Sequence, residues 1–488
     1  MRRVCLLFAF LSVHCLAQAP SAGAPNAVKL GNVTITGSLR SRAELWDWFQ
    51  SDSGDNSYAY SGNILRIGIS ETRNKWDWSA EFAVPFLLGL PANPIGPGAQ
   101  GQLGLGANYL LANDRNQNVA MIFPKQLFVR IKQQGGSKAN SLRIGRFEFL
   151  DGSETTPKNA SLAAVKRDRV SQRLLGSFGW SHVGRSFDGL QYTYAKPSGV
   201  FAVIGAVPTR GAFQVDGWGW NQAAFGYASF TRPWGGKSHA ADTRFFVLSY
   251  DDWRGVLKTD NRPLAPRRAD VETIRIETFG GHSAHVFESS AGSFDAVFWG
   301  ALQTGHWGTQ IHRAWALDLE AGWQPKALKK LKPWLRGGFY EGSGDGNPND
   351  NRHETFFQVL PTPRPYARFP FFNMMNNRDR FAILILRPHP KTTISSEFHA
   401  MRLRQADDLW YSGGGVFQPW TFGYSGRPVS GRLSLANLYD MGLEYRIHPK
   451  VTFTAYLGFA QGRAITSAIY PKGKNGMFGY FEMLYRVW

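Results

Sequence analysis

The feature that most constrains the fold is an alternation of apolar and polar residues that recurs along the chain. In the first copy, Val33, Ile35 and Leu39 alternate with Thr34 and Arg40. A period of two is typical of a β-strand with one apolar and one polar face. Similar runs are 65–70, 77–84, 274–277, 315–321 and 439–447. The chain is therefore predicted to be all-β.

A soluble sandwich and a membrane barrel both produce this alternation. In a sandwich the apolar face packs on a second sheet, whereas in a membrane barrel it faces lipid. Two features favour the barrel. Aromatic residues such as Trp46, Trp76 and Trp323 fall near strand ends, where interface girdles form. Connections also alternate in length: those near 74, 196, 388 and 448 are short, whereas 88–124, 151–185, 343–378 and 406–432 are long.

These segments predict a single antiparallel barrel of 18 strands over residues 33–488, with short periplasmic turns and long extracellular loops. The predicted strand starts are near 33, 60, 75, 125, 139, 186, 199, 223, 241, 271, 292, 311, 333, 379, 391, 433, 450 and 476. Only 43% of residues are hydrophobic, too few for a bundle of transmembrane helices.

The N-terminus predicts export from the cytoplasm. Arg2 and Arg3 precede a short apolar stretch, and the small residue Ala17 stands at a suitable cleavage position, so residues 1–17 are interpreted as a signal peptide. The apolar stretch is too short for a membrane anchor. Residues 18–32 are interpreted as a flexible leader. Both cysteines, Cys5 and Cys15, would be removed, which excludes disulfides and thiol chemistry in the mature chain.

Basic residues exceed acidic ones, and removing the signal peptide lowers the formal net charge from +19 to +17. Residues on the polar side of the alternation are predicted to face the lumen: Arg40, Arg42, Arg66, Arg130, Arg275, Arg402 and the acidic Glu277. Each arginine could either brace the wall as an ion pair or contact a solute. A water-filled channel with excess fixed positive charge attracts anions.

The long connection 151–185 is the predicted constriction element. It carries Arg169, Arg173 and Arg185 among other basic residues, and Leu162 and Val165 have helical spacing. A long loop can fold into a barrel and narrow it. The alternative is an exposed loop with a solvated charge run.

Three motifs resemble the bacterial alginate export family: LRIGRFEFLDGSETTP (142–157), RVSQRLLGSFGWSHVGRSFDGLQYTY (169–194) and GSGDGNPNDNRHETFFQVLPT (342–362). The resemblance covers essentially the whole mature chain. It implies an 18-stranded outer-membrane barrel with an electropositive, constricted pore that secretes a uronate polysaccharide. It also implies pore roles for the charged residues of the motifs: Arg143, Arg146, Arg169, Arg173, Arg185 and Asp188.

Strict alternation conflicts with two of these assignments. Arg146 shares a face with Ile144, and Asp188 shares one with Leu190, so both would point to lipid. A bulge at Gly145 is expected to turn Arg146 inwards, since a glycine within a strand often marks a bulge. Asp188 is expected at the mouth of its strand.

The sequence also contains residues that resemble parts of a calcium site and of a catalytic site. Asp345, Asn347 and Asn349 begin like a calcium-binding loop, but the later ligand positions of an EF-hand are missing, which favours a simple turn. No other metal or cofactor is expected.

His282, Ser283 and His285 lie together, but His282 and His285 would face opposite sides of a strand, and no catalytic motif accompanies them. An enzyme is therefore not expected.

The sequence thus predicts an outer-membrane channel for an anionic polysaccharide or a related anionic solute. Two alternatives remain: a general porin for small acids, and a non-conducting receptor or adhesion barrel. The expected partners are outer-membrane lipid, the anionic solute and a periplasmic scaffold protein. We expect a monomer and no nucleic-acid partner.

Overall fold

The computed structural model describes residues 27–133 and 139–487. The predicted signal peptide with its two cysteines, most of the leader and Trp488 lie outside the described residues. The last part of the leader differs from the expectation, because Val28–Leu30 forms a short strand that pairs with the start of the next strand.

Eighteen long strands among the described residues form the wall, and their positions agree with the predicted starts. They are β1 Val33–Asp47, β2 Ser57–Thr72, β3 Trp76–Leu88, β4 Phe123–Lys132, β5 Asn140–Phe147, β6 Phe187–Lys196, β7 Gly199–Pro208, β8 Ala223–Gly235, β9 His239–Asp252, β10 Ile274–Glu288, β11 Gly292–Trp307, β12 Gln310–Pro325, β13 Trp334–Gly342, β14 Asn377–His389, β15 Thr392–Leu403, β16 Ser434–His448, β17 Val451–Gly462 and β18 Asn475–Arg486.

Each long strand pairs antiparallel with its neighbours in the chain, and β1 pairs with β18, which closes the barrel. The register joins Ser38 to Arg486 and Asp47 to Met477. In the described part of the wall, closure pairs each of the eighteen long strands on both sides, as β-structure in lipid requires. Ile67 and Met441 are examples of outward residues, 45% and 61% exposed, and an outward apolar surface of this kind is typical of a barrel wall that faces lipid.

The connections at one end of the barrel are short, and most of those at the other end are long. We call these the short-turn end and the long-loop end. One connection at the long-loop end is an exception, since only Gly308 and Thr309 join β11 to β12. The long connections carry the minor elements: strands Ile95–Gly96, Gly101–Gln102, Val119–Ala120, Arg352–His353, Leu409–Gly413 and Tyr424–Pro428, α-helices Leu105–Ala112, Ala160–Val165, Leu264–Ala269 and Ala464–Ile469, the 3₁₀-helix Gly98–Gln100 and the π-helix Lys166–Val170. Within the described part of the chain, no helix has the length and apolar character needed to cross a membrane.

Candidate functional site

Two long connections, 148–186 and 343–376, fold back into the barrel and pair with each other. Leu175 and Leu360 form a parallel bridge, and the Leu360 N–H donates to Leu174 O over 2.8 Å. All three leucine side chains are buried. The lumen is therefore narrowed by two connections, of which the first contains the predicted constriction segment 151–185.

The predicted inward arginines of β1 and β2 do face the lumen, and all three are bonded there. Arg42 Nη2 lies 2.6 Å from Glu482 Oε2, and Arg66 Nη2 lies 2.8 Å from Glu148 Oε2. Arg40 Nη1 donates to a main-chain carbonyl of the first inserted connection over 2.8 Å. These three side chains therefore brace the wall and hold the inserted connection.

Arg169 and Arg173 attach the inserted connection to carboxylates of β12. Arg169 Nε lies 2.8 Å from Glu320 Oε2, and Arg173 bonds to Asp318 and, over 3.4 Å, to Glu320. Burial lowers the pKa of Arg169, but the charge of Glu320, its hydrogen bond to Arg169 and the charge of Asp318 together outweigh burial and raise the pKa. Both arginines are fixed cations whose charge is matched locally.

Arg185 is held differently, by main-chain oxygens and aromatic rings. Its guanidinium lies 5.3 Å from the ring centres of both Phe178 and Phe417, and Nη2 donates to Pro361 O over 3.3 Å. Burial lowers the pKa of Arg185 to about 10, so it stays charged at neutral pH. Because it joins three connections, Arg185 fixes the packing inside the barrel.

Arg130 and Arg143 face the lumen near the short-turn end. Arg130 Nε lies 2.9 Å from Asp77 Oδ1. The Arg143 guanidinium lies 4.1 Å from the ring centre of Phe147 and 5.2 Å from that of Phe128. Alternation assigns Arg130 to the lumen, whereas the pore role of Arg143, which the resemblance implies, stays a prediction.

Arg146 and Asp188 lie on the outer side of the wall, which corrects their predicted position in the pore. They pair with each other, with Arg146 Nε 2.7 Å from Asp188 Oδ1. Strand pairing continues through Gly145 without a register shift, so the expected bulge is absent, and Gly145 instead has φ +123°. Arg146 stands opposite Leu127, which is 54% exposed, and directly opposed residues share a face.

Arg275, Glu277 and Arg402 also point outwards, contrary to the prediction. Their strand neighbours Ile276 and Met401 are buried inside the barrel. The reason is the filled lumen: near the long-loop end, inward residues pack on the inserted connections and are apolar. The polar members of the alternation then face outwards at the rim, where water and headgroups solvate them.

Two cavities remain between the wall and the inserted connections. The outer cavity, about 530 Å³, is lined mainly by aromatic residues such as Trp48, Trp410 and Trp420. Among the described residues its charged lining consists of Arg364 and Arg427, with no carboxylate. The inner cavity, about 180 Å³, has a mixed lining that contains Arg42, Arg169, Arg336, Arg364, Arg368, Asp168, Glu397, Glu444 and Glu482.

Arg364 and Trp180 line both cavities, and we call this pair the neck. The Arg364 guanidinium lies 4.9 Å from the ring centre of Trp180, 5.0 Å from that of Tyr456 and 5.1 Å from that of Phe478. Both terminal nitrogens are buried, and neither has a hydrogen-bond partner among the described residues. Stacking on rings leaves the in-plane donors of a guanidinium available.

Sequence reasoning missed Arg364 because the residue lies in a connection without periodicity. A weak signal exists, since Arg364 and Arg368 alternate with prolines and aromatics in the segment PTPRPYARFP, 361–370. Nothing in that composition indicates that the segment enters the barrel.

The predicted calcium candidates form turns in the second inserted connection. Asp345 Oδ1 accepts from the Asn347 N–H over 2.9 Å, and Asn347 Oδ1 accepts from the Asn349 N–H over 3.1 Å. Such bonds two residues onward are typical of Asx turns. The Asp345 N–H also donates to Asp408 Oδ2 over 2.9 Å, which joins this connection to the next one.

The alginate export family model matches residues 108–455, which include all three motifs and both inserted connections. The chain belongs to the alginate export family. No curated protein sequence matches it significantly.

Solved outer-membrane barrels share the fold of this family member. The outer membrane protein opdK of Pseudomonas aeruginosa matches with a TM-score of 0.53 and 8% identity, over 93% of this chain and 98% of that one. Acinetobacter baumannii OccAB2 matches with a TM-score of 0.56 and 8% identity, over the same shares of the two chains. A structure of Pseudomonas aeruginosa OpdK with vanillate matches with a TM-score of 0.54 and 8% identity, again over 93% of this chain and 98% of that one.

Family and fold together identify an outer-membrane β-barrel of the channel type in the bacterial cell envelope. Both the family and the fold point to a transport protein.

Proposed function

We propose that this channel passes an anionic polysaccharide, with a uronate polymer as the substrate class. The observation that carries the proposal is the neck, where Arg364 presents buried hydrogen-bond donors without a partner between two cavities. Family membership supports a polymeric uronate as the solute.

The linings of the two cavities suggest how a polysaccharide chain could move through the barrel. In the outer cavity, aromatic faces offer flat apolar contact to sugar rings, while Arg364 and Arg427 attract carboxylates. At the neck, the Arg364 guanidinium replaces part of the hydration of one carboxylate at a time. In the inner cavity, acids such as Glu397 and Glu482 lie among the arginines, which keeps binding weak enough for release.

A second candidate function is a porin for small acids. OpdK, which shares the fold, has been crystallised with vanillate. The outer cavity, at about 530 Å³, has the size typical of small-molecule sites. A small carboxylate could occupy the outer cavity and the neck without any polymer. A non-conducting receptor is the third possibility, since two connections already fill much of the lumen.

Planar-bilayer recording of the purified protein tests these alternatives. Export predicts an anion-selective current that polyuronate blocks and a neutral glycan of equal length does not. Arg364→Gln is expected to raise the blocking concentration of polyuronate about 10- to 100-fold, because hydrogen bonds to a charged group contribute about 1.5–3 kcal/mol. Arg402→Gln, which removes an outward arginine, is the matched control and leaves block unchanged.

The other outcomes decide between the alternatives. Block by small acids but not by polyuronate supports the porin. The absence of conductance in a correctly folded barrel supports the receptor. If Arg364→Gln leaves the blocking concentration of polyuronate unchanged, the proposed role of the neck is contradicted.

The proposal includes four further expectations about orientation and partners. The long loops face the exterior, lipid surrounds the apolar wall, and the barrel works as a monomer. A periplasmic scaffold would dock on the short-turn end, where 326–333 carries several lysines.

A further inference from the structure

Three inward side chains on two adjacent strands of the wall come together beside the inner cavity. Glu397 and His399 lie on β15, and Asp440 lies on the neighbouring β16. One potential ligand atom from each lies within 4.8 Å of the other two, and all three side chains are buried. Glu397 also lines the inner cavity, so the cluster lies at the wall of that cavity.

In the described structure each of these three side chains has one buried polar atom without a hydrogen-bond partner: Glu397 Oε2, His399 Nε2 and Asp440 Oδ2. The second oxygen of each carboxylate is held in place. Arg368 Nε lies 3.0 Å from Glu397 Oε1, and the Tyr456 hydroxyl donates to Asp440 Oδ1. Buried polar atoms are normally paired, so three unpaired atoms on side chains that lie this close together favour a positive partner.

The other nitrogen of the histidine is already oriented by a fourth residue. His399 Nδ1 lies 2.7 Å from Asp379 Oδ2, which belongs to the adjacent strand β14. When Nδ1 carries the proton and donates it to Asp379, the lone pair of Nε2 points into the cluster. A carboxylate bonded to the far nitrogen of a ligating histidine is the usual outer shell of a metal site.

We propose that Glu397, His399 and Asp440 bind a divalent first-row transition metal ion, with Zn²⁺ as the best fit. One imidazole nitrogen and two carboxylate oxygens are a donor set for Zn²⁺ and its neighbours, whereas Ca²⁺ prefers oxygen alone. Two carboxylates and a neutral imidazole balance the charge of the ion. Three protein ligands leave a fourth position for water from the inner cavity.

The donor spacing fits with small side-chain movements. Zinc bonds of about 2.1 Å place tetrahedral donors about 3.4 Å apart. His399 Nε2 and Glu397 Oε2 are separated by 3.8 Å, so they need to approach by a few tenths of an ångström. The bound ion would tie β15 to β16 and set a fixed positive charge beside the inner cavity.

The competing interpretation is a proton on Nε2. An imidazolium would then sit among Glu397, Asp379 and Asp440 and satisfy the same carboxylates. Metal content distinguishes the two, because an imidazolium has no lone pair for an ion.

The test uses the full-length barrel, purified in detergent, stripped with EDTA and dialysed against Zn²⁺ or Co²⁺. Elemental analysis is expected to find about one ion per chain, and Co²⁺ is expected to give the visible absorption of a four-coordinate site. His399→Gln is expected to abolish both signals. His282→Gln is the matched control, because His282 is also buried, inward and bonded to a carboxylate, Asp242 Oδ1 at 2.9 Å.

Asp379→Asn keeps the proposal testable if His399→Gln fails to fold. It leaves all three ligands in place and is expected to weaken metal affinity about 10- to 100-fold. Folding of each variant is checked by the heat-dependent shift of the barrel in gel electrophoresis. The proposal is overturned if the wild-type protein retains no ion, or if the folded Asp379→Asn variant binds as tightly as wild type.

Discussion

Arg173 and Arg364 show how the partner of an arginine decides its role inside this barrel. Arg173 bonds to Asp318 and Glu320, so its charge is already neutralised and its function is to hold the inserted connection. Arg364 stacks on three rings and keeps its terminal donors unpartnered among the described residues. Sequence alone gives both the same charge. Only the fold distinguishes a structural cation from one that can meet a solute.

Replacing Arg173 with Met is expected to destabilise the inserted connection. Breaking one side of a buried ion pair costs about 3–5 kcal/mol, because the remaining carboxylate loses its compensation. We expect faster proteolysis within 148–186 and a noisier, larger conductance. Adding Asp318→Asn is expected to restore much of the protection, whereas Arg402→Met, at the outer rim, has no effect. Equal proteolysis of wild type and Arg173→Met would refute the anchoring role.

The contact between Asp345 and Asp408 predicts a dependence on pH at the long-loop end. Burial raises the pKa of Asp345 from 3.8 to about 7 and that of Asp408 to about 6. A carboxyl whose pKa is raised by folding favours the folded loop while protonated, so this stabilisation is lost as pH rises from about 4 to 7.

Limited proteolysis of the 343–376 connection is therefore expected to be slower at pH 5 than at pH 8. Asp345→Asn removes the charge and is expected to reduce this difference by slowing cleavage at pH 8. Asp350→Asn, in the same connection but exposed, is the control and changes the difference much less, because burial raises the pKa of Asp345 more than the charge of Asp350 does. A wild-type loop that is cleaved equally at both pH values would contradict the prediction.

Among the strands, alternation predicted the strand positions of the wall but only part of the side-chain orientation. Of the seven side chains that it assigned to the lumen, four point inwards, Arg40, Arg42, Arg66 and Arg130, and three point outwards, Arg275, Glu277 and Arg402. All eighteen strand positions among the described residues follow from period two and from loop lengths. The rule that apolar residues face lipid holds for β1, where Arg40 and Arg42 are inside, but it fails for Ile276 in β10. Near the long-loop end the inner face packs on the inserted connections while the outer face reaches water and headgroups, so apolar residues no longer mark the lipid-facing side.

Gly145 predicts a local stability effect that belongs to β5. Its φ of +123° disfavours other residues, and an added Cβ would lie 2.3 Å from Leu127 O of β4. Gly145→Ala is expected to cost about 1–3 kcal/mol, measured by urea unfolding in detergent with tryptophan fluorescence. Gly205→Ala in β7 is the matched control, because nothing lies within 4 Å of its added Cβ. Equal midpoints for the two variants would show that β5 relaxes without cost.

The inserted connections mark the limit of sequence reasoning about the site. The helical spacing around Leu162 and Val165 predicted a helix, and Ala160–Val165 is one. The pairing of Leu175 with Leu360 joins residues 185 positions apart in the chain, and no local pattern encodes such a contact. The neck depends on it, because Arg364 is positioned by the same connection as Leu360.

For the whole molecule, the excess of basic residues does not translate into a uniformly positive lumen. Much of that charge is bound in ion pairs within the wall and the inserted connections, as at Arg66 and Arg169. Selectivity would then come from a few positions, the neck foremost. This distribution predicts that conductance and selectivity respond to different substitutions.

Replacing Trp180 tests whether conductance and selectivity depend on different residues. It lines both cavities and is 7% exposed, so Trp180→Ala removes the steric part of the neck while Arg364 remains. Single-channel conductance is expected to rise, whereas the reversal potential in a salt gradient stays anion-selective. Arg364→Gln is expected to do the opposite, shifting the reversal potential with little change in conductance.

Trp420→Ala, which widens the outer cavity at a position 55% exposed, is the control and alters neither the conductance nor the reversal potential. If Trp180→Ala leaves conductance unchanged, ions do not pass the neck, because removing an indole from a path shared by two cavities must lower its resistance.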